Sequence, residues 1–275
     1  MDLHNIQTYL RPQSLETVEN WSQGWSWLAG GTWIFTQAQP DLKVLVDLEK
    51  LNWSEIEVTS DGLSIGATCT MAKLRQWNFP DNWTGVAALL RAVDELASFK
   101  VTNMATVGGN ICLAIPASTF APAMVALNAS YEIWHPQAAP RLIAAKDFQT
   151  GIQQTVLQPG EVLRKIWILQ ANLEWQISYQ RVCVATAGIA ISLVVAAYNP
   201  QTSQVRFGLG ACVPTPRVLE FSHIPTADEI EEVFDAQLPL DCFIEDYAAS
   251  ATYRQHLTKV LMQRSLLEFQ ICKNP

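Results

Sequence analysis

Two rhythms of apolar positions divide this chain. In the first part helix-spaced sets are separated by short apolar runs, and in the last third large and small residues alternate along strand-length stretches. Leu15, Val18, Trp21 and Trp25 follow Ser14, a good N-cap, and predict a short amphipathic helix over 14–25. Trp27, Leu28 and Ala29 then run into Gly30-Gly31, and the next apolar run lies at 44–48. The order is strand, glycine loop, connection, strand.

Asp61-Gly62 predicts a hairpin over 56–66, because a primed turn needs the positive φ that these residues tolerate. Thr70 heads a helix carrying Met71, Leu74 and Trp77. A longer helix over 84–97, with Val86, Leu89, Leu90, Val93 and Leu96 on its apolar side, delivers the chain to a loop over 100–110. Residues 117–129 read as helix with Pro122 near its first turn, 131–134 and 162–169 as strands, and 158–161 as a turn.

Beyond a polar break at 170–172, Ile189, Ile191, Leu193 and Val195 interleave with Ala190, Ser192, Val194 and Ala196. Val205, Phe207 and Leu209 alternate again after a turn at 199–203. This predicts an antiparallel hairpin with one face packed more heavily than the other. An acidic helix over 228–236 and a long helix over 247–271, with Tyr253, Leu257, Val260 and Leu261 along one side, complete the chain. The expected domains are 1–172, itself split near 52, and 173–275.

With 275 residues, 49% of them hydrophobic, the chain can bury a large core. Its formal charge of −8 excludes a nucleic-acid surface, which needs clustered Lys and Arg. Small molecules and other proteins are the expected partners. Cys69, Cys112, Cys183, Cys212, Cys242 and Cys272 lie far apart without CxxC or zinc-ligand spacing, so they read as buried small hydrophobes of a reducing compartment. No metal site and no iron–sulfur cluster is expected within the chain. The start Met1-Asp2-Leu3-His4 lacks the look of a signal peptide, and no run is long enough for a membrane span. A soluble cytoplasmic protein is the expectation.

Gly62-Leu63-Ser64-Ile65-Gly66 fits the pattern of a serine-hydrolase nucleophile elbow. That elbow joins a strand to a helix, whereas Ser64 lies within a strand after an Asp-Gly turn, so it reads as a solvent-facing strand residue. Gly208-Leu209-Gly210 lacks the third glycine of a dinucleotide fingerprint and is followed by prolines, which marks a tight strand end. More informative is the pair formed by Ala29-Gly30-Gly31-Thr32 and Ala105-Thr106-Val107-Gly108-Gly109-Asn110. A single Gly-Gly is most often a turn. Two of them, each after an apolar element and before a small polar residue, predict two backbone cradles for one pyrophosphate, with Asn110 adding an amide.

On these residues the chain resembles the FAD-binding subunit of the molybdenum hydroxylases, the family of xanthine dehydrogenase and aerobic carbon monoxide dehydrogenase. Val46-Asp47-Leu48, Leu63-Ser64-Ile65-Gly66-Ala67, Pro116-Ala117-Ser118, Asp147-Phe148, Pro159-Gly160-Glu161, Pro214-Thr215-Pro216-Arg217 and Tyr253-Arg254 continue the likeness in order along the chain. The resemblance implies an α+β fold: a two-subdomain FAD-binding domain of the PCMH/VAO type, then a C-terminal domain of antiparallel sheet plus helices. It implies FAD as cofactor, a molybdenum-cofactor subunit and a [2Fe-2S] subunit as partners, and a small-molecule electron acceptor. Leu28, Ala29, Gly30, Gly31, Thr32, Trp33 and Ile34 would wrap the pyrophosphate. In the second segment, Ala105 and Val107 frame Thr106 as a hydroxyl, Gly108 and Gly109 as points of close approach, and Asn110 as an amide. Leu163 would touch the isoalloxazine ring. No acid, base or nucleophile of the chain need be catalytic, since the redox chemistry belongs to the cofactor.

Several positions depart from the family pattern. Trp33 stands where a polar or acidic residue is common, Ile115 for a Ser, Thr119 for an Asp that holds a ribose hydroxyl, Gln180 for a Lys or Arg near the flavin, and Cys183-Val184 for a Gly-Asp pair. Two or three lost contacts of about 1 kcal/mol each predict FAD binding weakened by one to two orders of magnitude. Loss of a cation at Gln180 predicts a lower flavin potential. The alternative is a scaffold or assembly subunit that keeps the fold without FAD.

Overall fold

The computed structural model describes residues 3–96, 99–185 and 188–271. Strands β1 (Thr8–Leu10), β2 (Trp25–Leu28) and β3 (Val44–Asp47) form a parallel sheet in the order β1-β3-β2. The run at 44–48 is continuous rather than alternating because β3 is the central strand, buried on both faces. No helix forms over 14–25. Only Leu15–Thr17 makes a single 3-10 turn, since Asn20 (φ 58°) and Gly24 (φ 84°) adopt left-handed backbone that a helix cannot contain. The tryptophans assigned to that helix, Trp21 and Trp25, pack on one another at 5.6 Å, and Trp21 stacks on Trp27 at 4.5 Å.

Strands β4 (Ile56–Val58), β5 (Gly62–Gly66), β6 (Ser130–His135), β7 (Ala138–Ala144) and β10 (Val162–Leu169) form an antiparallel sheet in the order β4-β5-β10-β6-β7. A small hairpin, β8 (Gln149–Gly151) and β9 (Gln154–Thr155), lies in the connection. Helices α1 (Met71–Gln76), α2 (Val86–Asp94), α3 (Phe99–Thr102), α4 (Val107–Leu113) and α5 (Phe120–Ala126) share the large core with this sheet. Thr70 caps α1 by accepting the N–H of Lys73, as its position predicts. Ser64 faces inward rather than to solvent: it is 1% exposed and donates to Glu57 Oε2 at 2.8 Å.

The short helix α6 (Gln170–Leu173) fills the polar break and leads to a second antiparallel sheet. This sheet comprises β11 (Gln176–Cys183), β12 (Ala190–Tyr198), β13 (Val205–Gly210) and β14 (Arg217–Phe221). All of β12 is buried, contrary to the expected one-sided packing. Leu193, Val195 and Ala197 join the large core, whereas Ile191, Val194 and Ala196 join the core around α7 (Ala227–Gln237) and α8 (Ala251–Ile271). Helix α5 lies between the two cores' sheets, and β13 admits it closely: a Cβ on Gly208 would sit 2.0 Å from the Pro122 carbonyl oxygen, and one on Gly210 2.3 Å from Pro122 Cγ. Those glycines serve helix packing. On α8, Leu257 and Leu261 are buried as predicted, but Tyr253 is exposed.

Among the described residues no helix is long and apolar enough to cross a membrane. Cys69 and Cys212 are buried, Cys112, Cys183 and Cys242 half-buried, and Cys272 lies outside the described residues.

Candidate functional site

The two Gly-Gly segments meet. A Cβ on Gly30 would lie 1.8 Å from the carbonyl oxygen of Met104 and 3.2 Å from Ala105 Cα, so only glycine lets the first segment touch the second. They border one cavity of about 1040 Å³, running from β2 past both segments to β10. Its volume is at the upper end of those that hold small molecules and cofactors.

The first segment leaves β2 as an irregular turn with Gly31 at φ 70°. Among the described residues, the N–H groups of Gly30, Gly31, Thr32, Trp33 and Ile34 have no acceptor within the chain. Unspent donors on a strained glycine turn are what an anion requires.

The second segment is different. Residues 100–110 are not one loop: α3 is followed by a bridge between Thr106 and Thr70, and Val107 begins α4. The N–H groups of this helix start are occupied. Val107 donates to Cys69 O at 2.9 Å, Gly108 to Ala67 O at 3.0 Å, and Gly109 to Thr106 Oγ1 at 3.0 Å. What the segment offers is proximity and side chains. A Cβ on Gly109 would meet only Thr106 Oγ1, at 2.8 Å, so the space in front of it is open. The Thr106 hydroxyl proton is unspent, and Asn110 Oδ1 accepts the Ser118 hydroxyl at 2.6 Å, which orients the Asn110 NH₂.

Among the described residues no Lys, Arg or His lines the cavity, and its one carboxylate, Glu161, forms a bidentate pair with Arg141 at 2.8 and 2.7 Å. That pair holds the Glu161 carboxyl below the usual range. Burial pushes the Cys112 thiol, which also lines the cavity, up to about 12, so it stays protonated at neutral pH. The lining therefore offers dipoles and apolar surface, with neither a general base nor a nucleophile.

A dinucleotide matches these features, and comparison with known proteins decides which one. The sequence pattern described as the FAD binding domain in molybdopterin dehydrogenase matches residues 4–168. The chain belongs to this family. FAD is the cofactor of such a domain, and the relatives are oxidoreductases. The chain is 24% identical over 260 residues to the xanthine dehydrogenase FAD-binding subunit of Escherichia coli O157:H7, covering 88% of this chain and 87% of that one. Likewise it is 24% identical to the nicotine 6-hydroxylase medium subunit of Paenarthrobacter nicotinovorans, covering 84% and 83%. Xanthine dehydrogenase of Oryza sativa subsp. japonica is 32% identical over 118 residues, but the match covers 40% of this chain and only 9% of that protein. Among solved structures, the Cu,Mo-CO dehydrogenase shares the fold with a TM-score of 0.81 at 22% identity, over 97% of this chain and 98% of that one.

Against an FAD site, the residues singled out in the sequence fall into three groups. Leu28, Ala29, Gly30, Gly31, Thr32, Trp33, Ile34, Ala105, Thr106, Gly108, Gly109, Asn110 and Leu163 all line the cavity, and so does Ile115. Val107 is buried behind it. Thr119 and Gln180 are elsewhere. Thr119 is 4% exposed, its Oγ1 has no partner, and its carbonyl accepts the Tyr179 hydroxyl at 3.2 Å. Gln180 points from β11 to α8, donating to Glu268 Oε1 at 2.6 Å. Its neighbours Tyr179 and Arg181 take the opposite face, toward α5 and α2. Sequence reasoning missed Ala67, Met71, Leu96 and Val101, which also line the cavity, as do Trp21, Trp25 and Trp27. Ala67, Met71 and Leu96 read as ordinary core and Val101 as loop, and for Ala67 and Met71 it is the pairing of residues 67–71 with 105–108 that brings them to the site.

Proposed function

We propose that the chain is the FAD-carrying electron-transfer subunit of a molybdenum-containing hydroxylase or dehydrogenase. In this reading a partner with a molybdenum cofactor oxidises the substrate, and a [2Fe-2S] subunit relays electrons to the FAD, which gives them to an external small-molecule acceptor. The observation that carries the reading is the single cavity shared by two touching Gly-Gly segments of unequal chemistry. The N–H groups from Gly30 to Ile34 hold the pyrophosphate, Thr106 and Asn110 donate from the opposite wall, and Leu163 lies against the ring system. FAD, when bound, supplies the redox chemistry. The chain's own residues bind, orient and exclude water. Residues 1–172 act as the cofactor domain and 173–275 as a separate C-terminal domain.

The names of the relatives, a FAD-binding subunit and a medium subunit, support the division of labour. The absence of cations among the lining residues favours weak binding rather than none, because oriented backbone dipoles hold phosphate without Lys or Arg. Against a scaffold without FAD stands Gly30, whose close contact with Met104 serves no packing that a larger residue and a looser loop would not. Titration of the purified protein into FAD is expected to shift the visible flavin absorption and change its fluorescence with saturation. A colourless protein that cannot be loaded would defeat this reading in favour of the scaffold.

A further inference from the structure

Behind the cavity, β10 carries a guanidinium that the site just described does not use. The Arg164 side chain is 13% exposed. Its Cζ lies 4.9 Å from the centre of the Trp53 ring and 5.4 Å from that of Trp134, and Nη2 pairs with Glu55 Oε1 at 2.5 Å. Its Nε and Nη1 are buried without a partner, as is Glu55 Oε2. A cation so incompletely bonded is a costly way to fill space. Desolvation of a buried pair is repaid only when the remaining donors are satisfied, and an apolar residue of similar volume is often as stable or more so. Stability alone therefore does not account for it.

Its place in the fold gives another reason. The pairing of β10 with β6 shifts register between Leu163 and Lys165, so Arg164 is the extra residue of a bulge. Next to it, Leu163 lines the cavity. The Arg164 carbonyl accepts the N–H of Ala67 at 3.0 Å, and the Ala67 carbonyl accepts the N–H of Gly108 at 3.0 Å. Ala67 is itself the surface on which Gly108 rests, 2.6 Å from where a Cβ would be. The side chain meanwhile grips Trp53, which packs with Leu15, Leu48 and Val162 where the three-stranded sheet meets the five-stranded one.

We propose that Arg164 is a positioning residue for the flavin. Packed against two tryptophan rings that meet edge-on and tethered by Glu55, it fixes the bulge that sets Leu163 against the ring system and, through Ala67, the height of the second Gly-Gly segment. This rests on the FAD reading above. A methionine at the same position would fill the volume, and Glu55 would keep a cation because Lys165 Nζ lies 3.6 Å from it.

The test compares Arg164→Met with Arg206→Met, since Arg206 also stacks on a tryptophan (Trp175, 4.1 Å) and pairs with a carboxylate but lies outside the cavity. Arg164→Met is expected to weaken FAD binding roughly tenfold to a hundredfold, the equivalent of one or two lost hydrogen bonds to a charged group, and to raise bound-flavin fluorescence, with the melting temperature unchanged or higher. Arg206→Met is expected to leave FAD affinity alone. Wild-type affinity and fluorescence in Arg164→Met would overturn the proposal. Should that variant not fold, Glu55→Gln reads the same tether: weaker FAD binding supports the idea and unchanged binding overturns it. Amide exchange of the cofactor-free proteins separates this inference from the functional reading. Faster exchange at Gly108 and Ala67 in the variant supports the coupling even if the wild type takes up no FAD, and identical exchange contradicts it.

Discussion

Gly30-Gly31 sits in an open turn whose N–H groups are unspent, whereas Gly108-Gly109 begins a helix whose first N–H groups are already bonded to Cys69, Ala67 and Thr106. The glycines of the first segment expose backbone donors. Those of the second remove side chains so that α4 can press on Ala67 and leave room in front. A pyrophosphate between them would take its backbone hydrogen bonds from one wall, and side-chain donors and fit from the other. A Gly-Gly pair is thus a statement about space, and whether it is also a statement about charge depends on what the neighbouring N–H groups already bind.

The largest effect is expected from Gly30→Ala. Its methyl would fall 1.8 Å from the Met104 carbonyl oxygen, forcing the two walls apart. FAD binding should weaken by about 100-fold or more, the equivalent of two hydrogen bonds to a charged group, as measured by flavin titration. Next is Gly108→Ala, where the clash is with Ala67 at 2.6 Å in the wall itself. Thermal unfolding should show a loss of about 1–3 kcal/mol, the usual cost of overpacking, with a smaller loss of FAD affinity than in Gly30→Ala. The reverse order of FAD affinities would mean that the second segment, not the first, dominates binding.

Thr106→Val removes the cap on Gly109 and the free hydroxyl proton together. About 1 kcal/mol of stability should go with the cap, and Thr106→Ser should restore both stability and FAD affinity. The smallest effect is expected at Gln180. With its amide on Glu268 and its side chain on the α8 face, Gln180→Lys should gain an ion pair there and leave the flavin midpoint potential where it was. A shifted midpoint would show that this face of β11 senses the cofactor after all.

Much of the local structure is legible in the chain. The strand at 162–169, the Thr70 cap and the strand–glycine–strand order each follow from a few neighbouring residues, and each is present. The hairpin over 56–66 forms too, but its turn is Ser60-Asp61, neither residue at positive φ, because Gly62 already opens β5 and exchanges both backbone hydrogen bonds with Thr59. Apolar spacing misleads at 14–25, because Asn20 and Gly24 take positive φ and the tryptophans pack together instead. What is not legible depends on contacts between distant segments. Alternation assigns Gln180 and Arg181 to opposite faces of β11 but cannot say that the even face meets α8. Nor does anything near Gly108 reveal that the carbonyls of Ala67 and Cys69 consume its helix's donors. Apolar neighbours on both sides make Ser64 look solvent-facing, yet the Glu57 carboxylate gives it a partner and allows it to be buried.

Amide hydrogen exchange of the purified protein with and without FAD tests the unequal roles of the two segments most directly. Strong protection on binding is expected at Gly30, Gly31, Thr32, Trp33 and Ile34, with little change at Val107, Gly108 and Gly109, whose N–H groups are bonded beforehand. Protection gained mainly at Val107 to Gly109, with Gly30 to Ile34 still exchanging freely, would contradict that division of roles.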